Sequence, residues 1–304
     1  MVKNSKILVA GGTGFIGGNL INELISLGNE VVSISKKNTN KSKNIKYICH
    51  DLTIPLKKKD ILSLSDISHI VNCSGYIDHT NFKDGGKNIF NNHFQSLYTL
   101  TELAIELGVK SFIQIGSSDE YGNNKSPIKE NMREMPISPY ALGKLTSTHF
   151  LQQCFRQGSL NPVILRPFLV FGEMQKSNRF LPYLIKNCLN DKKFKVTKGE
   201  QKRDYLYIKD FNKAIIKSFN NQNAYGEVFN IASGKPITIK EIINKVQTNI
   251  GMGKPIYGAQ KYREGENMEL YANINKAKKI LNWSPKYNLN ESLDKVINWY
   301  KNNG

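Results

Sequence analysis

Tyr140 and Lys144 stand four residues apart in the run Tyr140-Ala141-Leu142-Gly143-Lys144, which places them one helical turn apart on the same face. An ammonium there stabilises a phenolate that is otherwise rare near neutral pH, so Tyr140 is expected to give or take a proton at an alcohol or carbonyl oxygen. Ser117, in the run Gly116-Ser117-Ser118-Asp119-Glu120-Tyr121-Gly122, adds a hydroxyl that can donate to that oxygen as negative charge develops on it. Each of the three has a plain alternative, as a turn serine, a packed tyrosine and a surface lysine. Their ordered occurrence behind a glycine-rich loop points instead to oxidation or reduction at carbon.

That loop is Gly11-Gly12-Thr13-Gly14-Phe15-Ile16-Gly17, directly after the apolar run Ile7-Leu8-Val9-Ala10. Glycines also build ordinary turns, but here they follow a predicted first strand and open a helix, so backbone N–H groups and the helix dipole face an anion. Gly11 permits the turn, Gly14 close approach of a pyrophosphate, and Gly17 packing of helix on strand. With Thr13, Phe15 and Ile16 they form the expected dinucleotide loop. The second predicted strand ends in Ser35-Lys36-Lys37 with no acid. An acid there would accept ribose hydroxyls and repel a 2′-phosphate, so this ending favours NADP(H) over NAD(H). Asp51-Leu52 and Cys73-Ser74-Gly75, at the next two strand ends, are expected beside the adenine and the ribose-pyrophosphate; both also read as strand-end turns.

The elements that must position these residues alternate in the first half. Short apolar strands at 6–10, 30–35, 45–50, 69–73, 111–115 and 162–166 are separated by amphipathic helices at 18–27, 92–107 and 140–157. That rhythm predicts an α/β fold, a Rossmann-type doubly wound parallel sheet. After Gly172 the elements shorten, with helices expected near 180–190, 208–220, 238–251 and 290–302. The chain therefore divides into a dinucleotide-binding domain at 1–171 and a smaller C-terminal α/β substrate lobe, mainly 172–304, from which some segments return to the first. Residues 38–44 read as a polar loop.

With 304 residues and 39% apolar content the chain can bury a sizeable core. Its formal charge of +18 comes from lysines scattered along every segment, which argues against a nucleic-acid stripe and suits an anionic cofactor and substrate. No run is long enough to span a membrane and no signal peptide precedes the first strand, so a cytoplasmic enzyme is expected, not membrane-bound. Cys49, Cys73, Cys154 and Cys188 show no metal-ligand spacing; they read as reduced thiols, and no metal is expected.

The motifs together resemble an extended short-chain dehydrogenase/reductase of the nucleotide-sugar epimerase/dehydratase/reductase group. The resemblance runs through 11–17, 92–97, 117–122, Pro139 to Lys144, Leu165 to Gly172, Gly199 to Asp210 and 273–285. It implies a nucleoside-diphosphate sugar in the second lobe, with Arg203 and Arg263 on its pyrophosphate and Asn178 and Arg179 along the nucleotide. Guanidinium forks suit phosphate oxygens, although Arg179 also reads as a solvated side chain. Asn92 and Pro167 are expected near the cofactor, Ser118 and Asp119 near the sugar. A homodimer through the helices at 92–107 and 140–157 is implied as well.

Three reactions share this scaffold. Dehydratases carry an acid and a base just after the serine or threonine, where this chain has Ser118 and the short Asp119. A carboxylate one methylene short misses a sugar proton by about an ångström, which proton transfer tolerates badly. The missing acid at Ser35 points to NADPH-dependent reduction of a 6-deoxy-4-keto sugar nucleotide, as in surface-polysaccharide sugar synthesis. The alternatives are an NAD-dependent 4-epimerase or 4,6-dehydratase and, in another class, a non-catalytic NADP-binding sensor.

Overall fold

The computed structural model describes residues 2–37, 45–62, 64–263 and 265–303; the stretch read as a polar loop, 38–44, lies outside the described residues. The first half builds strands β1 (Lys6–Ala10), β2 (Glu30–Ser35), β3 (Lys46–Cys49), β4 (His69–Asn72), β5 (Ser111–Ile115) and β6 (Pro162–Pro167). Between them run helices α1 (Phe15–Ser26), α2 (Lys58–Leu62), α3 (Gly86–Glu106) and α4 (Pro139–Arg156). The second half contributes β7 (Leu169–Phe171), α5 (Phe180–Leu189), β8 (Lys193–Lys195), β9 (Lys202–Tyr207), α6 (Ile208–Ser218) and β10 (Val228–Ile231). It continues through β11 (Pro236–Thr238), α7 (Ile239–Ile250), β12 (Lys254–Ile256), β13 (Glu269–Leu270), α8 (Asn275–Ile280) and α9 (Leu289–Asn303).

The main sheet has seven strands in the order β10-β6-β5-β4-β1-β2-β3, all parallel. Strands covered on both faces must be apolar on both, and β1 shows how. Ile7 and Val9 enter one core with Leu20 and Leu24 of α1 and Phe211 and Ile215 of α6. Leu8 and Ala10 enter the opposite core with Leu97, Leu100 and Leu103 of α3 and Leu151 of α4. The sheet order reverses beside β1, so the carboxyl ends of β1, β4 and β5 open onto one crevice, where such sheets take their ligands.

Two helices begin earlier than their apolar spacing predicts. α1 starts at Phe15 rather than 18 because Gly14 is its N-cap, so the glycine loop runs straight into the helix. α3 starts at Gly86 rather than 92; its first turns, with Lys87, Asn88, Asn91 and Asn92, are too polar to show periodicity. Beyond residue 172, α6 packs on α1 and β10 pairs with β6, so both belong to the layers of the main sheet. In the remaining lobe β9 pairs antiparallel with β11 and parallel with β13 and β7, while β12 pairs with β8. These strands of two to six residues carry no alternation that a sequence reading could find.

Asp204, 0% exposed, joins the lobe to the main sheet. Its carboxylate accepts from Ser233 N at 2.7 Å and Oγ at 2.5 Å, Gly234 N at 3.0 Å and Ala272 N at 3.3 Å. Asp204→Ala strands those donors and is expected to cost about 3 kcal/mol. Urea unfolding with an unchanged midpoint would refute that role.

Candidate active site

Strand β5 delivers Ser117 to the crevice and a short 3-10 turn, Ser118–Tyr121, fixes it. The serine hydroxyl accepts from Asp119 N at 3.1 Å, and Glu120 Oε1 accepts from Ser117 N at 2.8 Å, a reciprocal capping box. Helix α4 arrives from the other side. Ser138 caps it by accepting from Ala141 N at 3.1 Å, and Pro139 occupies its first turn, where a missing N–H costs nothing. Tyr140 and Lys144 follow one turn apart, and with Ser117 they are 4%, 6% and 7% exposed.

The Ser117 side chain lies near the Tyr140 phenol and acts to lower its pKa. Lys144 Nζ donates to the Ile115 carbonyl at 2.8 Å. The rings of His93 and His79 meet the Tyr140 ring edge-on at 5.2 and 5.8 Å, and His93 Nε2 lies 2.9 Å from the Tyr76 carbonyl. Burial pushes the His93 pKa down to about 4, with the Lys144 charge adding to it, so this imidazole is neutral.

Burial dominates the electrostatics of the site. Burial, and then the Asp119 carboxylate, push the Tyr140 pKa up, and the lowering comes from the Ser117 side chain and the Arg179 charge. Lys144 is not among the largest influences on the phenol; its ammonium is turned to a backbone carbonyl. Burial brings Lys144 itself down to about 8, partly opposed by Glu120 and Cys73. Asp119 is raised by burial and held lower by His79, Arg179 and Arg263; its Oδ2 lies 3.7 Å from His79 Nε2.

The cofactor residues divide into a rigid part and a soft part. Gly11 sits at φ +76°, and a Cβ on Gly17 would come within 2.4 Å of the Gly11 carbonyl oxygen, so neither tolerates a side chain. No side chain caps the start of α1, which leaves its N–H groups facing the loop where Thr13 and Gly14 are exposed. This cradle fits a pyrophosphate. Phe15 and Ile16 lean on the core.

At the adenine end, Lys36 Nζ pairs with Asp51 Oδ2 at 3.0 Å, and Asp51 Oδ1 accepts from Thr53 N at 3.0 Å and Oγ1 at 2.8 Å. Both expected contacts are thus occupied by each other. Ser35 Oγ is buried without a partner, Lys37 is exposed, and the Leu52 side chain lies in the core. Ser74 donates to Asn72 Oδ1 through N at 3.0 Å and Oγ at 2.5 Å. Burial raises the Cys73 thiol to about 12, Gly75 lies against the His93 ring, Asn92 Nδ2 donates to Tyr76 OH at 3.4 Å, and Pro167 ends β6.

On the substrate side Ser118 is buried, while Asn178 and Arg179 are exposed at the start of α5. Arg203 is bonded to Glu266 and donates from Nη1 to the Lys202 carbonyl at 2.9 Å. The exposed Arg263 acts on Asp119 through its charge. Sequence reasoning missed His79, His93 and Glu266, which no local pattern marks. It also missed Glu120, although Ser117-x-x-Glu120 is a legible capping-box pattern.

Residues 7–232 match the NAD dependent epimerase/dehydratase family. The chain belongs to that family. A putative UDP-glucose 4-epimerase of Methanocaldococcus jannaschii is 28% identical over 309 residues, covering 98% of this chain and 99% of that protein. A UDP-glucuronate 4-epimerase of Thermodesulfobacterium geofontis is 26% identical over 97% of this chain and 96% of that one. Among solved structures, the UDP-glucose 4-epimerase of Thermotoga maritima superposes with a TM-score of 0.90 at 24% identity, over 98% of this chain and 99% of that one. Among the described residues no group of three or more His, Cys, Asp or Glu could hold a metal, and no helix is long and apolar enough to cross a membrane.

Folding weakens proton binding at Lys144, from 10.5 to about 8. That contribution favours the folded state at alkaline pH and is lost as pH falls through about 8. Lys144→Met is therefore expected to raise the melting temperature at pH 7, with the gain disappearing toward pH 10. A lower melting temperature at pH 7 would contradict it.

Proposed function

We propose that the protein is an NAD-dependent nucleotide-sugar 4-epimerase. The observation that carries this reading is the buried Ser117–Tyr140 contact one helical turn from Lys144, in a member of an epimerase/dehydratase family. Relatives named as UDP-glucose and UDP-glucuronate 4-epimerases support epimerisation over the net reduction that the Ser35-Lys36-Lys37 ending suggests.

The cradle around Gly11, Gly14 and Gly17 and the strand end at Ser74 would hold the pyrophosphate, and Lys144 the nicotinamide ribose. NAD, when bound, supplies a hydride acceptor for C4 that returns the hydride within the same turnover. Tyr140, as its phenolate, takes the proton of the C4 hydroxyl and, as the phenol so formed, returns it. Ser117 donates to the C4 oxygen and, from its place beside the phenol, keeps the two groups in register. Ser118 and Asp119 line the sugar. Arg203 and Arg263, with Asn178 and Arg179, bind the diphosphate, Arg203 exchanging its carboxylate partner for phosphate oxygens.

One observation favours the second reading, reduction of a 4-keto sugar nucleotide with NADPH: β2 ends without an acid and with an unpartnered Ser35 Oγ. A homodimer through α3 and α4 suits the aromatic stripe of Phe90, Phe94 and Tyr98, which meets Phe150 and leaves Tyr98 39% exposed.

The first test is to assay the purified protein for retained nucleotide and to incubate it with NAD and UDP-glucose or UDP-glucuronate. The C4 epimer is expected by NMR without net change in NADH absorbance. No epimer, together with NADPH consumption on a 4-keto sugar nucleotide, would replace this reading with the reductase. Tyr140→Phe is expected to lower epimerisation at least about a hundredfold while NAD still binds by calorimetry; undiminished turnover would remove Tyr140 from its role. Ser35→Asp combined with Lys36→Ala is expected to shift binding further toward NADH over NADPH, and an unchanged ratio would mean this loop does not touch the ribose.

A further inference from the structure

Beneath the Ser117 turn lies a carboxylate that the reaction does not itself use. The side chains of Glu120 and Arg166 are both 0% exposed, with Arg166 Nη2 2.7 Å from Glu120 Oε2. The same oxygen accepts from Arg166 Nε at 2.8 Å and from Thr148 Oγ1 at 2.8 Å, and the other accepts from Ser117 N at 2.8 Å. Arg166 continues to Glu134 at 3.0 Å and lies over the Tyr121 ring, 4.4 Å from its centroid.

Stability alone is a weak reason for such a pair, because well-packed apolar side chains in its place are often neutral or stabilising. Its placement is informative. Thr148 follows Tyr140 and Lys144 at spacings of eight and four residues, so all three lie along one face of α4. One carboxylate is thus bonded to the turn that carries Ser117, to the helix that carries Tyr140 and Lys144, and to strand β6.

We propose that Glu120 is a positioning residue, which clamps the Ser117 turn to helix α4 and so holds the serine hydroxyl against the Tyr140 phenol. The proposal rests on the roles given above to Ser117 and Tyr140. A misplacement of reacting groups by about 1 Å costs turnover far more than it costs affinity. The Glu120 charge also supports the Lys144 ammonium against its burial.

The test uses two variants, each made alone and with Ser117→Ala. Thr148→Val keeps the side-chain shape and removes one bond to Glu120 while leaving the ion pair. Glu120→Gln keeps shape and removes the charge. With UDP-glucose and saturating NAD, Thr148→Val is expected to lower kcat about threefold to tenfold and Glu120→Gln at least about tenfold, with KM within about twofold. In the Ser117→Ala background neither lowers kcat further, because the interaction they support is gone. An unchanged kcat in folded Thr148→Val, or the same loss in both backgrounds, overturns the proposal. Full activity of Ser117→Ala alone overturns the functional reading instead.

A second readout needs no turnover. In protein labelled with 13Cζ-tyrosine, Thr148→Val is expected to move the Tyr140 resonance in the direction Ser117→Ala moves it, with no further movement in the double variant. A Tyr140 resonance that responds to Ser117→Ala and ignores Thr148→Val overturns the clamp, even if Glu120→Gln does not fold and whichever sugar is the substrate.

Discussion

A charge removed from water must find partners in the protein, and the placement of those partners constrains everything around them. Arg166 rises from β6 into the interior, so a carboxylate has to meet it there; Glu120 does, from the turn after β5. Once that pair exists, the turn cannot slide along the sheet, and Thr148 locks the adjoining helix to the same oxygen. The geometry of Ser117 and Tyr140 follows from it. The seven parallel strands bring the pieces to one edge, but the ladder alone fixes their height only to within the freedom of a loop. The buried ion pair removes that freedom.

The cofactor edge is built with two stiffnesses. The glycine cradle is rigid, since a single Cβ would collide with backbone oxygen, and its backbone N–H groups suit the pyrophosphate that every dinucleotide shares. The residues expected at the adenine and its ribose include the pair of Lys36 and Asp51, whose side chains are 58% and 35% exposed. Such a pair contributes at most about 1 kcal/mol and opens readily. In the proposed reading, discrimination between the two nicotinamide dinucleotides falls on Ser35, Lys36 and Asp51, and the Lys36–Asp51 pair costs little to open. Absence of an acid at this edge is weaker guidance to the reaction than the architecture of the proton-transfer site.

Much of this was legible because parallel strands buried on both faces must be written as apolar runs, and β1, β2 and β5 span the ranges expected of them. Tyr140, Lys144 and Ser117 were legible through helical spacing and their place after a strand. What sequence could not supply is whatever depends on distant segments. Arg203 finds Glu266 across 63 residues, and Asp119 receives the fields of His79, Arg179 and Arg263 from three separate loops. The direction of the Lys144 ammonium is hidden for the same reason: helical spacing shows that two side chains share a face, not which way the ammonium turns once the Ile115 carbonyl is within 2.8 Å.

In the proposed epimerisation the same group must remove a proton and restore it, so neither protonation state can be a deep trap. Burial and Asp119 hold the Tyr140 phenol protonated, and Ser117 and Arg179 pull the other way. Burial brings Lys144 down to about 8, so its ammonium is poised instead of permanent. The pull toward the protonated form is the stronger one here, so the base half of the cycle needs Ser117, Arg179 and any positive charge brought by a ligand to offset it. A dry site with one ammonium and two carboxylates close by requires each to be bonded: Lys144 to Ile115, Glu120 to Arg166, and Asp119 within reach of His79. The polar network beneath the crevice is what keeps these charges bonded while the phenol above them exchanges its proton.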